Sequence, residues 1–201
     1  LEVLLAIPFA MAVATVRGSL TDRAVMVCTT VAVSISLLVY VILAQYLFAF
    51  RLGWFPVQGW SKPFWVNLTT YAPLPILVVV AVGLAPQLRL YRSFFLDELG
   101  HDYVRTARAK GLSERTVLLK HVLRNALIPI LTNVAVLLPG VFVGSFLIEV
   151  FFSIPGLGRE VLLAVNRSDY PVIQAVTVYL AFLTMVINLI TDLAFKLVDP
   201  R

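Results

Sequence analysis

Charge is scarce in this chain. Only 13% of its 201 residues are Asp, Glu, Lys or Arg, 60% are hydrophobic, and the mean hydropathy is +0.94. A soluble domain carries about 25% charged and about 45–50% apolar residues, because a soluble fold needs polar surface. The shortage excludes an ordinary soluble globule. Cysteine is nearly absent as well: Cys28 stands alone inside an apolar run, which excludes an intrachain disulfide. His101 and His121 are the only histidines, and their separation matches no metal-ligand spacing such as HExxH. There is no G-x-x-x-x-G-K-[ST] phosphate loop. Ser34 and Ser36 have no histidine partner in the apolar runs, which argues against a serine hydrolase acting at membrane depth. An initiating Met is missing too, and the chain opens inside an apolar run, so the expectation is a piece of a longer protein.

What is present is a series of apolar runs. A bilayer crossing takes roughly 20 apolar residues as helix, and five spans are predicted, at about 1–16, 24–50, 69–90, 126–151 and 171–198. The first would cover only ~24 Å at the α-helical rise per residue, so its start is expected upstream. Arg17 to Arg23 reads as a polar turn broken at Gly18, with Thr21 or Asp22 able to cap the next helix. Ser34, Ser36 and Gln45 interrupt the second span, which points to helix packing or a polar interior, with packing the reading for the two serines. Pro73, Pro75 and Pro86 predict kinks in the third, and Gly140 with Gly144 forms a small-xxx-small pair in the fourth. Glu149 stands near the far end of that span, where a carboxylate can reach the interface. Asn188 and Asp192 come late in the fifth, and intramembrane ionisable groups call for a functional reading.

Two loops alternate with these. Arg51 to Asn67 is rich in Gly, Pro and Trp, and Trp54, Trp60 and Trp65 read as interfacial anchors. Ser153 to Tyr170 opens on a turn at Pro155, Gly156 and Gly158, with a short helix over Glu160 to Asn166. Twelve of the sixteen Lys and Arg fall on one set of alternate loops; Arg51, Lys62, Arg159 and Arg167 are on the other. The positive-inside rule puts the twelve in the cytoplasm. The isoelectric point near 9.6 therefore reflects membrane topology, and nucleic acid is not an expected partner.

The long polar passage, about 91–125, is the most informative stretch. Glu98 to Lys110 is helix-compatible, with Leu99, Tyr103 and Ala107 on one face. Gly111 can end that helix in the left-handed conformation, and Ser113 can cap the next. In the second helix Leu119, Val122, Leu123 and Ala126 form a stripe, with Lys120 and Arg124 on another face. Two readings stand on physics alone: a shaped knob offered to a soluble partner, or an amphipathic loop lying on anionic headgroups.

The run YVRTARAKGLSERTVLLKHVLRNALIP resembles the cytoplasmic EAA loop of ABC importer permeases, most closely the B-type subunit of the dipeptide/oligopeptide (peptide/nickel) family. RLGWFPVQG at 51–59, EVFFSIPGLG at 149–158 and VDPR at 198–201 match that subunit in order, so the resemblance covers nearly the whole chain. The general pattern is altered: Arg105-Thr106-Ala107 stands where Glu-Ala-Ala would, Gly111 is kept, and the later position reads His121-Val122-Leu123-Arg124.

The resemblance implies an all-α integral membrane protein: one type I ABC importer transmembrane domain over 1–201, five of the family's six spans visible, with a cytoplasmic coupling helix. It implies ATPase-coupling roles for Glu98, Asp102, Tyr103, Arg105, Thr106, Ala107, Arg108, Lys110, Gly111 and Leu112. Tyr103, Ala107 and Leu112 would pack on an ATPase, and Arg105, Arg108 and Lys110 would pair with its acidic groups. Glu149, Pro155, Gly156 and Gly158 would face an external binding protein. The implied partners are a second related permease, two ATP-binding subunits, that binding protein and the bilayer of a bacterial cell membrane, with the coupling loop and C-terminus cytoplasmic. This chain would be non-catalytic and hold no cofactor or metal, ATP and magnesium sitting on the ATPases. The alternative is an ion-coupled secondary carrier built around Asp192.

Overall fold

The computed structural model describes residues 1–143 and 145–198, without the side chains of 139, 142, 143, 192 and 194–198. Gly144, the Asp192 carboxylate, Lys196 and the end of the VDPR motif therefore lie outside the described residues. The described elements are helical, with no strand among them. In order they are α1 (Glu2–Thr15), α2 (Leu20–Ser34), α3 (Leu37–Ala44, continued as π-helix Gln45–Arg51), α4 (Phe64–Val66, continued as π-helix Asn67–Tyr71) and α5 (Pro73–Leu99). Then come α6 (Asp102–Ala109), α7 (Glu114–Thr116, continued as π-helix Val117–Val122), α8 (Leu123–Val143), α9 (Phe146–Phe152), α10 (Leu157–Asn166) and α11 (Tyr170–Val198).

Among the described residues, three stretches are long and apolar enough to cross a membrane: Pro73–Leu99, Glu114–Leu138 and Tyr170–Thr191. A fourth exists if the bent pair α2 and α3 counts as one span; α1, with 14 residues, is too short alone. The run expected as one helix over 24–50 is broken after Ser34. Ile35 takes extended backbone (φ −84°, ψ 129°), and the Ser34 hydroxyl bonds back to the Thr30 carbonyl at 2.9 Å, a local competitor of helical pairing. The proline expectation also changes. Pro73 and Pro75 fall in the first turn of α5, where a missing N–H leaves nothing unpaired, and only Pro86 is interior.

The chain divides into two compact units, 1–37 with 78–134 and 38–77 with 135–201. In the first unit α1 carries Ala6, Ala10 and Ala14, all essentially buried, in one cluster with Tyr91 and Phe95 of α5. Alanines at four-residue spacing form one helix face and let backbones approach closely where lipid offers no hydrophobic drive. The same cluster takes in Val104 and Ala107 of α6 with Val117, Val122, Ala126 and Ile130 beyond it.

An ion pair closes this unit. Arg92 of α5 donates from Nε to Asp22 Oδ1 and from Nη2 to Oδ2, both at 2.8 Å, and Gly18 N–H donates to Oδ2 at 2.9 Å. Ser19, neither Thr21 nor Asp22, is the cap of α2, its hydroxyl accepting from Asp22 N–H at 3.1 Å. The S-x-x-D spacing has the capping-box form, with the carboxylate turned to Gly18 and to Arg92.

In the second unit polar side chains join the loops. Gln45 Nε2 donates to the Val57 and Phe151 carbonyls, each at 3.0 Å. Asn67, buried, accepts from Ser61 N–H at 2.7 Å and donates to the Ser61 carbonyl at 2.6 Å. Gly59 N–H donates to the Phe152 carbonyl at 3.0 Å. The loop over 51–67 is thus pinned at both ends, and held against the end of α9. Trp54, Trp60 and Trp65 are 65%, 41% and 73% exposed.

Candidate functional site

The polar passage folds as a helix–break–helix–turn–helix. A single helix over Glu98 to Lys110 does not form: α5 runs through Glu98 and ends at Leu99, and Gly100 and His101 turn the chain. Gly100 N–H bonds to the Asp97 carbonyl at 3.1 Å and His101 N–H to that of Glu98 at 3.2 Å. His101 is extended (φ −73°, ψ 151°) and precedes the two turns of α6, Asp102–Ala109. At the far end Gly111 has φ +77°, the left-handed stop that glycine adopts freely. Its N–H bonds to the Arg108 carbonyl at 2.9 Å. Ser113 caps the next helix as expected, accepting from Thr116 N–H at 3.4 Å.

One face of α6 is buried in its own unit. Val104 is fully buried, Ala107 is 6% exposed, and Leu99 and Tyr103 pack partly against the same cluster. The other face is open: Asp102, Arg105, Thr106, Arg108, Lys110, Gly111 and Leu112 are all exposed. Of the residues expected to pack on a partner, Leu112 alone is outward, at 41% exposure. Ala107 and Tyr103 attach the helix to this chain instead. Of the expected Leu99–Tyr103–Ala107 face, Leu99 belongs to α5 and only Tyr103 and Ala107 share α6, all three turned toward the chain's own cluster.

Polar contacts stiffen the same element. Arg108 donates from Nε and Nη2 to the two Glu114 oxygens, at 3.1 and 2.5 Å. That hydrogen-bonded carboxylate holds the guanidinium firmly in its charged form, and the pair ties α6 to α7 across the Gly111 turn. Tyr103 Oη donates to Glu98 Oε2 at 2.5 Å. Burial, then the Glu98 carboxylate, push the phenol above its ordinary range, so it keeps the proton it donates. Arg105 lies 3.6 Å from Asp102 with side chains 77% and 95% exposed, a pair too solvated to hold either group. The result is a short, stiff, outward-facing helix whose free charges are Asp102, Arg105 and Lys110. His101 stacks on Tyr103 at 5.9 Å between ring centroids, and His121 lies in the π-helical turn beyond α7.

The second predicted cluster is built on Glu149. Its carboxylate Oε2 accepts from the N–H groups of Gly158 and Arg159, at 2.8 and 3.2 Å, in the first turn of α10. A carboxylate there meets unpaired helical donors and the positive end of the helix dipole. The carboxylate is folded back on its own chain. This explains the two glycines. A Cβ on Gly158 would stand 2.8 Å from the Phe146 Cα, leaving no room for a side chain, and one on Gly156 would stand 2.4 Å from Glu149 Cδ and displace that carboxylate. Pro155 is exposed beside them. Ser153, left-handed at φ +55°, ends α9, and Arg159 Nη1 donates to its carbonyl at 3.0 Å.

Sequence reading missed the Asp22–Arg92 bridge and the Gln45 and Asn67 clamps. The S-x-x-D box signals the Ser19 cap but not a partner 70 positions away. The Gln45 clamp joins residues up to 106 positions apart and had no local signal.

Comparison with known proteins identifies the family. Residues 6–201 match the family model described as "Binding-protein-dependent transport system inner membrane component". The dipeptide transport system permease protein of Bacillus subtilis is 38% identical over 186 residues, covering 92% of this chain and 58% of that protein. A probable peptide ABC transporter permease protein of Sinorhizobium fredii is 35% identical, covering 100% of this chain and 65% of its own length. The oligopeptide transport system permease protein of Bacillus subtilis is 43% identical, covering 75% of this chain and 49% of itself. The chain thus spans about half to two thirds of the length of these relatives. With nearly its whole length matched and its described elements all helical, this chain belongs to the binding-protein-dependent transport system inner membrane components, the membrane domains of type I ABC importers.

Proposed function

We propose that this chain is the permease part of an ATP-driven importer of short peptides, lying in a bacterial cell membrane with α6 on the cytoplasmic side. The relatives named above are peptide permeases, which supports the substrate class. The partners are a second related permease, two ATP-binding subunits and an external binding protein; the chain itself holds no cofactor, and ATP with magnesium sits on the ATPases. The observation that carries the reading is the two-sidedness of α6, buried at Val104 and Ala107 and open at Arg105, Thr106 and Lys110. An element fixed to its own bundle on one side can transmit a push received on the other.

ATP shifts the permease only through contacts that differ between its two states. Arg105, Arg108, Lys110 and Leu112 make those contacts with the ATPase, and Tyr103, Ala107 and the Arg108–Glu114 bridge pass the motion inward. Glu149, Gly156 and Gly158 shape the turn toward the binding protein, with Pro155 at its surface.

Isolation of the full-length protein from its native membrane in mild detergent tests this reading. Two ATPases, a second permease and vanadate-sensitive ATP hydrolysis should come with it. A chain that purifies alone and without hydrolysis, with its native partners co-expressed, contradicts it and favours a carrier.

A further inference from the structure

The loop over 51–67 and the turn after α9 enclose an open cavity of about 580 Å³, lined by Trp60, Ser61, Lys62, Ser153, Pro155 and Arg159 among others. That volume suits a small organic molecule. Both walls are fixed, one by the Asn67–Ser61 pair and the other by the Glu149 contacts with α10. Each wall contributes one cation. Lys62 is exposed, and among the described residues neither it nor Arg159 has a carboxylate within 4.0 Å. Glu149, the acid bound at this turn, is engaged by backbone N–H groups. Arg159 is steadied by one nitrogen on the Ser153 carbonyl, which leaves the remaining donors of its planar fork for a ligand.

We propose that this cavity binds the terminal carboxylate of a short peptide, a staging site on the permease itself. The inference rests on the peptide-importer reading. Two unpaired cations in one concavity concentrate anions, and a guanidinium with a neighbouring ammonium holds a carboxylate by charge-assisted hydrogen bonds. The Trp60 indole and Pro155 supply an apolar wall for the body of the peptide, which an isolated inorganic anion would leave unused.

The test uses the complete transporter in nanodiscs without binding protein, titrated with dialanine, with dialanine amide and with inorganic phosphate, read by calorimetry. Dialanine should bind saturably and its amide about tenfold more weakly. Lys62→Gln should weaken dialanine about three- to fivefold, and Lys62→Arg should restore it. Arg159→Gln should weaken it further; because Arg159 also steadies Ser153, the exposed Lys62 carries the decision. Equal binding of acid and amide, no effect of Lys62→Gln, or phosphate competing as well as dialanine would each overturn the site. The two readings separate cleanly. Peptide uptake with no carboxylate preference at Lys62 removes the site and leaves the importer, whereas dialanine binding at Lys62 without ATP-driven uptake keeps the site and removes the importer.

Discussion

Arg92→Leu should destabilise the full-length permease by about 3–5 kcal/mol, the cost of leaving a buried charge without its partner. The carboxylate it abandons is deeply placed: the Asp22 side chain is 7% exposed and that of Arg92 17%. Three donors converge on Asp22, two from Arg92 and one from Gly18, at 2.8–2.9 Å. Without the guanidinium, the start of α2 loses its tie to α5. Asp22→Ala should cost a similar amount by stranding Arg92. Replacing the pair together, as Asp22→Asn with Arg92→Leu, should recover most of the loss, because no buried charge remains. Unfolding in detergent by SDS titration measures all four proteins. A single variant within about 1 kcal/mol of the parent, the range of exposed pairs, would show that the bridge is solvated and not structural.

Charge reversal on the open face of α6 should cost transport rather than folding. Arg105→Glu with Lys110→Glu should reduce ATP-driven peptide uptake on the order of 100-fold, since like charges brought together at an interface cost several kcal/mol. Both side chains point to solvent, so the stability of the permease should change little. Gly111→Val acts differently. Nothing lies within 4 Å of a Cβ there, but φ +77° is a conformation valine avoids, at a cost of about 1–2 kcal/mol. The turn joining α6 to α7 should shift, and uptake should fall about tenfold. Uptake in proteoliposomes, with the amount of assembled complex measured alongside, reads both effects. Wild-type uptake by either variant would remove α6 from the coupling path.

The limits of legibility follow from where each signal sits along the chain. The Gly111 stop and the Ser113 cap were readable because they are local, set by one residue's backbone freedom and one hydroxyl three positions from its donor. The Tyr103–Ala107 face of α6 was readable as a face, but hydrophobic periodicity does not say which body it meets. Here the answer is the chain's own cluster of Tyr91, Phe95 and Val122. The break between Glu98 and Asp102 hinges on the turn at Gly100 and the extended His101, where the composition still looks helical. The second apolar run concealed the break after Ser34 for a related reason, since hydropathy is blind to the dihedral angles of one residue. The partners of Glu149 were not readable, because the amides of Gly158 and Arg159 that bind it become convergent only once the turn has formed. The Asp22–Arg92 bridge spans 70 positions, and neither charge announces the other.

The most direct measurement exploits the scarcity of cysteine. Cys28 is the only cysteine of this sequence, so a Cys28→Ser background, with any cysteines of the remaining protein and its partners also replaced, and Thr106→Cys puts a single thiol on the outward face of α6 in the assembled complex. That thiol should cross-link to an ATPase subunit carrying engineered cysteines along its surface cleft, with a yield that changes between the nucleotide-free and ATP-bound states. A thiol that joins no ATPase in either state, and reacts freely with a soluble maleimide in the intact complex, would contradict the assignment of α6 as the coupling element.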